Sequence, residues 1–396
     1  MNLITKFDIW KNWSYSKLLP TTAYSSIFAI TLTAVFVIAN LIAPYPNIPD
    51  NLGLISLKLE YFAKHKDEYN AIFLGPSTTY RGIVPNVFDQ LMAEQNREIK
   101  SFNFGINGAI AAETDFYLRK IIALKPANLE WLFVEYPERT LEQYINKNAN
   151  SARGIYWHTP RQTLLDFRLI MELKQNLRDK FFAAYATLKS CLIRTFWMGR
   201  FANFWQVKVL GMKLFLDEIP DYSRLAQESG YYAHDLQTLQ RHKSWHQFFL
   251  DNLKDDYYQD VEQLKQGNIS PIKPYSLKVL KEMCQYINDY GIKPILFISP
   301  IVQERGSTAN NLYKQGDISP LFAFNDPEAF PNLYQLDRRF DFLHLNHQGA
   351  TELTASLAQE FAQYLGREQG TGNREQGTGN REQGTGNREQ GTGNRE

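Results

Sequence analysis

Residues Ala23 to Ala43 read AYSSIFAITLTAVFVIANLIA, 21 positions without one charged side chain. As a helix this run is about 31 Å long, which matches a bilayer core of roughly 30 Å. Its apolar side chains cover every face and it opens the chain, which argues against a buried core helix. Pro20 precedes it, and Pro44 and Pro46 stop it. A cleaved signal peptide is the rival reading, but the apolar region of such peptides is typically about 7–15 residues. Lys6, Lys11 and Lys17 stand before the run against the single acid Asp8, and the next basic residue after it is Lys58. The positive-inside rule therefore puts residues 1–22 in the cytoplasm, makes 23–43 a single transmembrane anchor, and sends everything after Pro44 to the far side.

At the other end, Arg367–Glu396 is four copies of REQGTGN followed by Arg-Glu. It holds no apolar residue, and its five Arg and five Glu cancel. Such a segment cannot bury a core, so disorder is expected. A solenoid is the rival, but solenoid repeats are normally about 20 residues or longer and carry an apolar face. Between anchor and tail, residues 50–366 suffice for one large domain or two small ones. A hydrophobic content of 44%, with 14% aromatics, indicates a packed body. The net charge of +1 supplies no global field to recruit nucleic acid. Cys191 and Cys284 sit among apolar residues in helix-like segments, without a CxxC pair. They read as buried side chains rather than a disulfide or metal site.

Within the body the pattern alternates. Strands are predicted at Asn70–Leu74, Ile99–Phe104, Leu129–Glu135 and Pro294–Ser299, with Asn332–Leu336 a candidate fifth. Helices are predicted at Pro85–Glu94, Ala109–Leu124, Tyr275–Tyr290 and His347–Leu365. Strand–helix alternation at short loop lengths implies an α/β fold with a parallel sheet covered by helices. From Thr140 to Gly267 the alternation is lost in long helical patterns rich in aromatics, which read as a helical insertion.

Serine-dependent acyl chemistry needs a nucleophile, a base, a group that orients the base, and donors for the developing oxyanion. Ser77 follows the first strand in the run Phe-Leu-Gly-Pro-Ser-Thr-Thr-Tyr-Arg, where Gly75 permits a tight turn. Ligands of open parallel sheets bind beyond the carboxyl ends of the strands. The bland reading of Ser77 is a helix cap. Asp341-Phe-Leu-His344 precedes the closing helix, and at this spacing the carboxylate can hold one imidazole nitrogen and leave the other for a serine. Its bland reading is a turn cap beside a buried histidine, and His347 is a competitor. Asn103-Phe-Gly105-Ile-Asn107-Gly108 ends the second strand, where a glycine can bring its N–H close to a substrate oxygen, or simply make a turn. A metal-dependent hydrolase lacks a ligand cluster: His234, His242 and His246 are spaced i, i+8, i+12, His242 and His246 could share a helical face, and their charged and aromatic neighbours favour a solvated helix.

In this order, Gly-x-Ser after strand one, Asn-x-Gly after strand two and Asp-x-x-His before the last helix, the chain resembles the SGNH (GDSL-like) hydrolase superfamily. It looks closest to the membrane-associated branch that includes exopolysaccharide acetyltransferase-like proteins. The resemblance covers Asn70–Glu135 and Ile292–Leu365. It implies a flavodoxin-like three-layer parallel sheet with the helical insertion at 140–267. It also implies Ser77 as nucleophile, His344 as base, Asp341 as its orienting partner, and the N–H groups of Ser77 and Gly105 as oxyanion hole. Two departures stand out. Pro76 occupies the position between Gly and Ser, and the Gly-x-Asn-Asp block is absent where the third strand ends at Glu135. An ionised Glu135 cannot donate to an oxyanion, which leaves Asn107 and Arg81 as candidate substitutes. The expected chemistry is deacetylation or acyl transfer on an extracytoplasmic glycan, with no cofactor or metal. The alternative is a degenerate domain that binds glycan or partner proteins.

Overall fold

The structure is a computed structural model. It describes residues 15–42, 47–48, 52–137, 151–173, 176–196, 222–236, 240–266, 273–302, 307–318 and 320–367. Residues 1–14, Pro44, Pro46, Pro49 and the repeat tail after Arg367 lie outside these residues.

Helix α1 spans Tyr15–Ile42 and is long and apolar enough to cross a membrane over Pro20–Ala39. It starts earlier than the uncharged run suggests and carries Pro20 inside it. The chain then forms α2 (Leu54–His65), an element the sequence analysis does not assign, although Ile55, Leu59 and Phe62 recur at helical spacing and are buried. Next come β1 (Ala71–Leu74), α3 (Ser77–Gly82), α4 (Pro85–Glu94), β2 (Ser101–Asn103), α5 (Ala111–Ala123) and β3 (Trp131–Glu135). Between β3 and β4 the described elements are all helical: α6 (Ala152–Trp157), α7 (Pro160–Glu172), α8 (Leu177–Thr195), α9 (Tyr222–Gln227), α10 (Gln240–Asn252), α11 (Lys254–Lys265) and α12 (Pro274–Asp289). The chain closes with β4 (Lys293–Ile298), α13 (Ser307–Lys314), β5 (Leu321–Ala323) and α14 (347–367).

Five strands form one all-parallel sheet in the order β2-β1-β3-β4-β5. The fifth strand is not where the sequence suggested. Pro331–Tyr334 is a single 3-10 turn opened by proline, and the strand paired with β4 is Leu321–Ala323. Three residues are too few for periodicity to reveal.

Side chains alternate across this sheet. Ile72, Leu74, Leu132, Val134, Leu296 and Ile298 point into one core with α2, α5 and α12. Ala71, Phe73, Trp131, Phe133, Ile295 and Phe297 point into the other with α4, α10, α11 and α14. Both faces are covered, which is why these strands read as continuous apolar runs rather than alternating ones. Cys191 and Cys284 are both buried and free.

The order reverses beside β1: the chain leaves β1 for the edge strand β2, then crosses back to β3 on the other flank. The carboxyl ends of β1 and β3 therefore border a crevice at a topological switch point. One stretch of the helical segment returns to the sheet edge. The Asn103 N–H donates to the Ser229 carbonyl at 2.8 Å, and Gly230 packs where a Cβ would meet the Asn103 carbonyl at 2.3 Å. Gly230 also has φ of +87°, a conformation that favours glycine. This contact delivers residues 231–236 to the crevice.

Candidate active site

Ser77 is the first residue of α3, directly after the turn that ends β1. Gly75 makes that turn possible by close approach: a Cβ there would meet Thr79 Oγ1 at 2.0 Å and Glu135 Cβ at 2.9 Å. The first turn of α3 is fastened to the end of β3. Thr78 and Thr79 donate to Glu135 Oε2 at 2.8 and 2.6 Å, and the Ser299 N–H donates to Oε1 at 3.3 Å. Burial raises the Glu135 carboxyl above its ordinary value, while the Thr79, Thr78 and Ser299 hydrogen bonds oppose that rise. Glu135, which stands where the resemblance expects an oxyanion donor, is thus an acceptor beneath the serine.

The histidine arrives on a tight loop. Phe340 and Asp341 N–H groups both donate to the His344 carbonyl, at 2.9 and 3.3 Å, and Arg339 pairs with Leu345 in an antiparallel bridge. Arg339 is fully buried and donates to the Pro300 carbonyl after β4 at 2.6 Å and to the Phe342 carbonyl at 2.7 Å. It ties the loop to the carboxyl edge of the sheet. The sequence reading gave this arginine no role.

Across the crevice His344 Nε2 lies 2.8 Å from Ser77 Oγ. His344 Nδ1 lies 3.0 Å from both oxygens of Asp341. Asp341 Oδ1 also accepts from the Leu343 and His344 N–H groups at 2.8 and 2.9 Å, and Trp245 Nε1 approaches Oδ2 at 3.4 Å. Burial alone raises the Asp341 carboxyl. The His344 charge, the ring hydrogen bond and the two backbone donors outweigh it and hold the group well below the usual carboxylate range. An ionised Asp341 is an acceptor only, so the proton sits on Nδ1, and Nε2 is left to accept from the serine hydroxyl. His347 is not in the base position: it opens α14, with Nδ1 3.1 Å from the Tyr231 hydroxyl.

The proposed oxyanion donors fall differently. The Gly105 N–H donates to Asn103 Oδ1 at 2.8 Å, so it does not point to a substrate oxygen. Gly105 is instead a close-approach residue, since a Cβ there would lie 2.3 Å from the Tyr80 nitrogen. The loop is held from below by Lys58, fully buried, which donates to the Asn103 and Gly105 carbonyls at 2.8 Å each and lies 3.9 Å from the Tyr80 ring centroid. Burial, then the Arg81 charge, lowers the Lys58 ammonium well below its ordinary value. Asn107 accepts from Arg153 through its carbonyl at 2.7 Å, and its side-chain oxygen is buried without a hydrogen bond among the described residues. No hydrogen bond joins Asn107 to the three aligned residues. Arg81 is buried and donates to the Tyr232 carbonyl at 2.6 Å, which ties α3 to the 231–236 stretch. The N–H groups of Ser77 and Thr78 have no hydrogen-bond acceptor among the described residues, as first-turn donors commonly do not.

A second imidazole borders the first. His234 lies 4.6 Å from His344 edge-on and stacks on Phe340 at 4.6 Å, centroid to centroid. Burial, followed by the His344 and Arg81 charges, pushes its pKa far down, so it stays neutral. The sequence pattern suggests a solvated helix for His234; it lies instead on the non-helical 231–236 stretch with both ring nitrogens buried, because the Ser229–Asn103 contact brings that stretch to the sheet edge. His246 Nδ1–H donates to the Phe340 carbonyl at 2.7 Å. Among the described residues no group of three or more His, Cys, Asp or Glu could hold a metal ion. A cavity of about 650 Å³ opens at the opposite, amino-terminal edge of the sheet, lined in part by Asn70, Lys100 and Glu130, and is separate from the Ser77 crevice.

Set against known proteins, the chain matches no family model and no curated protein.

Proposed function

We propose that this chain is a serine-dependent ester hydrolase or O-acyltransferase of SGNH type, acting on a cell-envelope or extracellular glycan through an acyl-Ser77 intermediate. One observation carries the reading: Ser77 Oγ, the two nitrogens of His344 and the Asp341 carboxylate form a continuous hydrogen-bonded line. The strand order and the crevice at its switch point support the same family.

In this mechanism Ser77 Oγ attacks the acyl carbonyl carbon as its proton passes to His344 Nε2. Asp341 stabilises the imidazolium through Nδ1 and is not itself protonated. First-turn N–H groups of α3 receive the oxyanion. The tetrahedral species collapses, the C–O bond to the departing alcohol breaks, and His344 returns its proton to that oxygen. Water or a sugar hydroxyl then attacks the acyl-serine with His344 again as base. That second step gives hydrolysis or transfer.

Helix α1 supports a single-pass anchor, and the Lys bias before it supports a cytoplasmic N-terminus with the acyl site on the far side. A fixed envelope polymer suits an anchored enzyme better than a diffusing metabolite. A second reading has one observation in its favour. With the Gly105 N–H engaged by Asn103 and Glu135 an acceptor, the oxyanion donors are fewer than the resemblance implies. That reading is a domain binding glycan or partner proteins without turnover. A labelled fluorophosphonate separates the two: the wild-type protein should be labelled and Ser77→Ala should not. Absence of labelling in a folded wild-type protein gives the binding reading first place.

A further inference from the structure

Helix α8 (Leu177–Thr195) is amphipathic in the wrong sense for a protein surrounded by water. The side it turns to the body is small and polar: Ala183, Thr187, Ser190 and Cys191 are its buried residues, and Thr187 donates to the buried Asp166 at 2.9 Å. The side it turns outward is large and apolar. Leu177 is 83% exposed and Phe181 67%, and Tyr185, Leu188 and Leu192 continue the stripe at spacings of three and four. On the adjoining α7, Leu164 and Met171 are also more than 60% exposed. Monomeric soluble proteins rarely leave so continuous an apolar strip uncovered.

Two further observations say what covers it. The residue that caps α8, Phe196, packs on Phe36 of α1 with ring centroids 5.1 Å apart. Phe36 lies on the last turns of α1, which ends at Ile42, so the carboxyl end of α8 sits near the level where α1 leaves the membrane. The charge pattern agrees. Within α8 four basic residues, Arg178, Lys180, Lys189 and Arg194, stand against the single acid Asp179. Large apolar and aromatic side chains with an excess of basic residues are the chemistry of a helix lying in an anionic bilayer surface.

We propose that the outer face of α8 is a membrane-docking surface, seated in the headgroup region of the same anionic bilayer that α1 crosses. The inference rests on the anchor reading of α1. It gives the domain a second attachment, which fixes its orientation to the membrane.

The test uses the full chain in vesicles of phosphatidylglycerol and phosphatidylcholine, with single cysteines carrying an environment-sensitive fluorophore. The native Cys191 and Cys284 are buried and give little background. Labels replace Phe181 and Leu188 on α8, Phe28 on α1, and Tyr258 on α11, which packs over the other face of the sheet. Docking predicts blue-shifted emission, quenched by bromine-labelled lipid chains, at 181, 188 and 28, but not at 258. Quenching at 28 without quenching at 181 and 188 overturns the docking and leaves the anchor standing. Absence of quenching at 28 overturns the anchor reading itself. A blue shift at 181 that bromine does not quench and that grows with protein-to-lipid ratio assigns the face to a second copy and overturns the proposal.

Discussion

Thr79 Oγ1 donates to the Glu135 carboxylate at 2.6 Å, and through that bond the helix carrying Ser77 is held on the end of β3. The two residues are 56 positions apart, both buried, and Thr78 donates to the same oxygen. Thr79→Val keeps the shape but leaves a buried acceptor short of one donor. We expect a loss of about 1–3 kcal/mol in urea unfolding, with slower fluorophosphonate labelling as Ser77 loosens. An unchanged midpoint would show that the carboxylate is not needed beneath α3.

Gly105→Ala separates two roles for one glycine. An added methyl retains the backbone N–H but lies 2.3 Å from the Tyr80 nitrogen, so α3 or the loop has to move. Overpacking of this kind costs about 1–3 kcal/mol. The expected result is a lower melting temperature together with reduced labelling at Ser77. Full stability in the variant would contradict the close approach.

Asp341→Asn replaces an obligatory acceptor with a group that can also donate, and so admits the wrong tautomer of His344. The labelling rate at Ser77 should fall by about three to four orders of magnitude at neutral pH. His347→Ala should leave that rate within a factor of about three, because His347 faces Tyr231 rather than Ser77. A reversed outcome would hand the base role to His347.

Asp89 supplies a pH signature of the fold. Burial raises its carboxyl to about 6, against the opposing hydrogen bonds from Ser101. The folded state holds this proton more tightly than the unfolded chain, whose carboxyl titrates near 3.9. The resulting stability is fully present below about pH 3.9 and is lost as pH rises through about 6. The melting temperature of wild type relative to Asp89→Asn should therefore fall as pH rises over that window, and the difference should stay constant above it. A constant difference from pH 4 to 7 would remove Asp89 from the account.

Topology has its own measurement. A reporter active only in the cytoplasm, fused after Gly366, should be silent in the intact cell. Activity there would reverse the orientation read from Lys6, Lys11 and Lys17, and with it the compartment of the substrate.

Much of the fold was legible because it depends on local pattern. Strands β1, β3 and β4 are buried on both faces and so appear as apolar runs, and α4, α12 and α14 carry their core residues at helical spacing. The uncharged run of α1 needs no tertiary context, since length and composition alone make it able to cross a bilayer. Asp341 and His344 could be paired from sequence because three residues separate them and one short loop sets their geometry. Tertiary structure decided the rest. Ser77 and His344 are 267 positions apart, and only the sheet order brings α3 and the loop after β5 to the same crevice. Gly105 looked like an oxyanion donor, yet the direction of its N–H follows from where Asn103 places its side-chain oxygen. His234 and Arg339 carry no signal of their own, because one reaches the site through the Ser229 contact with β2 and the other through a carbonyl after β4. Periodicity reports which face of an element is buried. It cannot report what lies on the other side of the contact, and hydrogen bonds, being directional, are decided there.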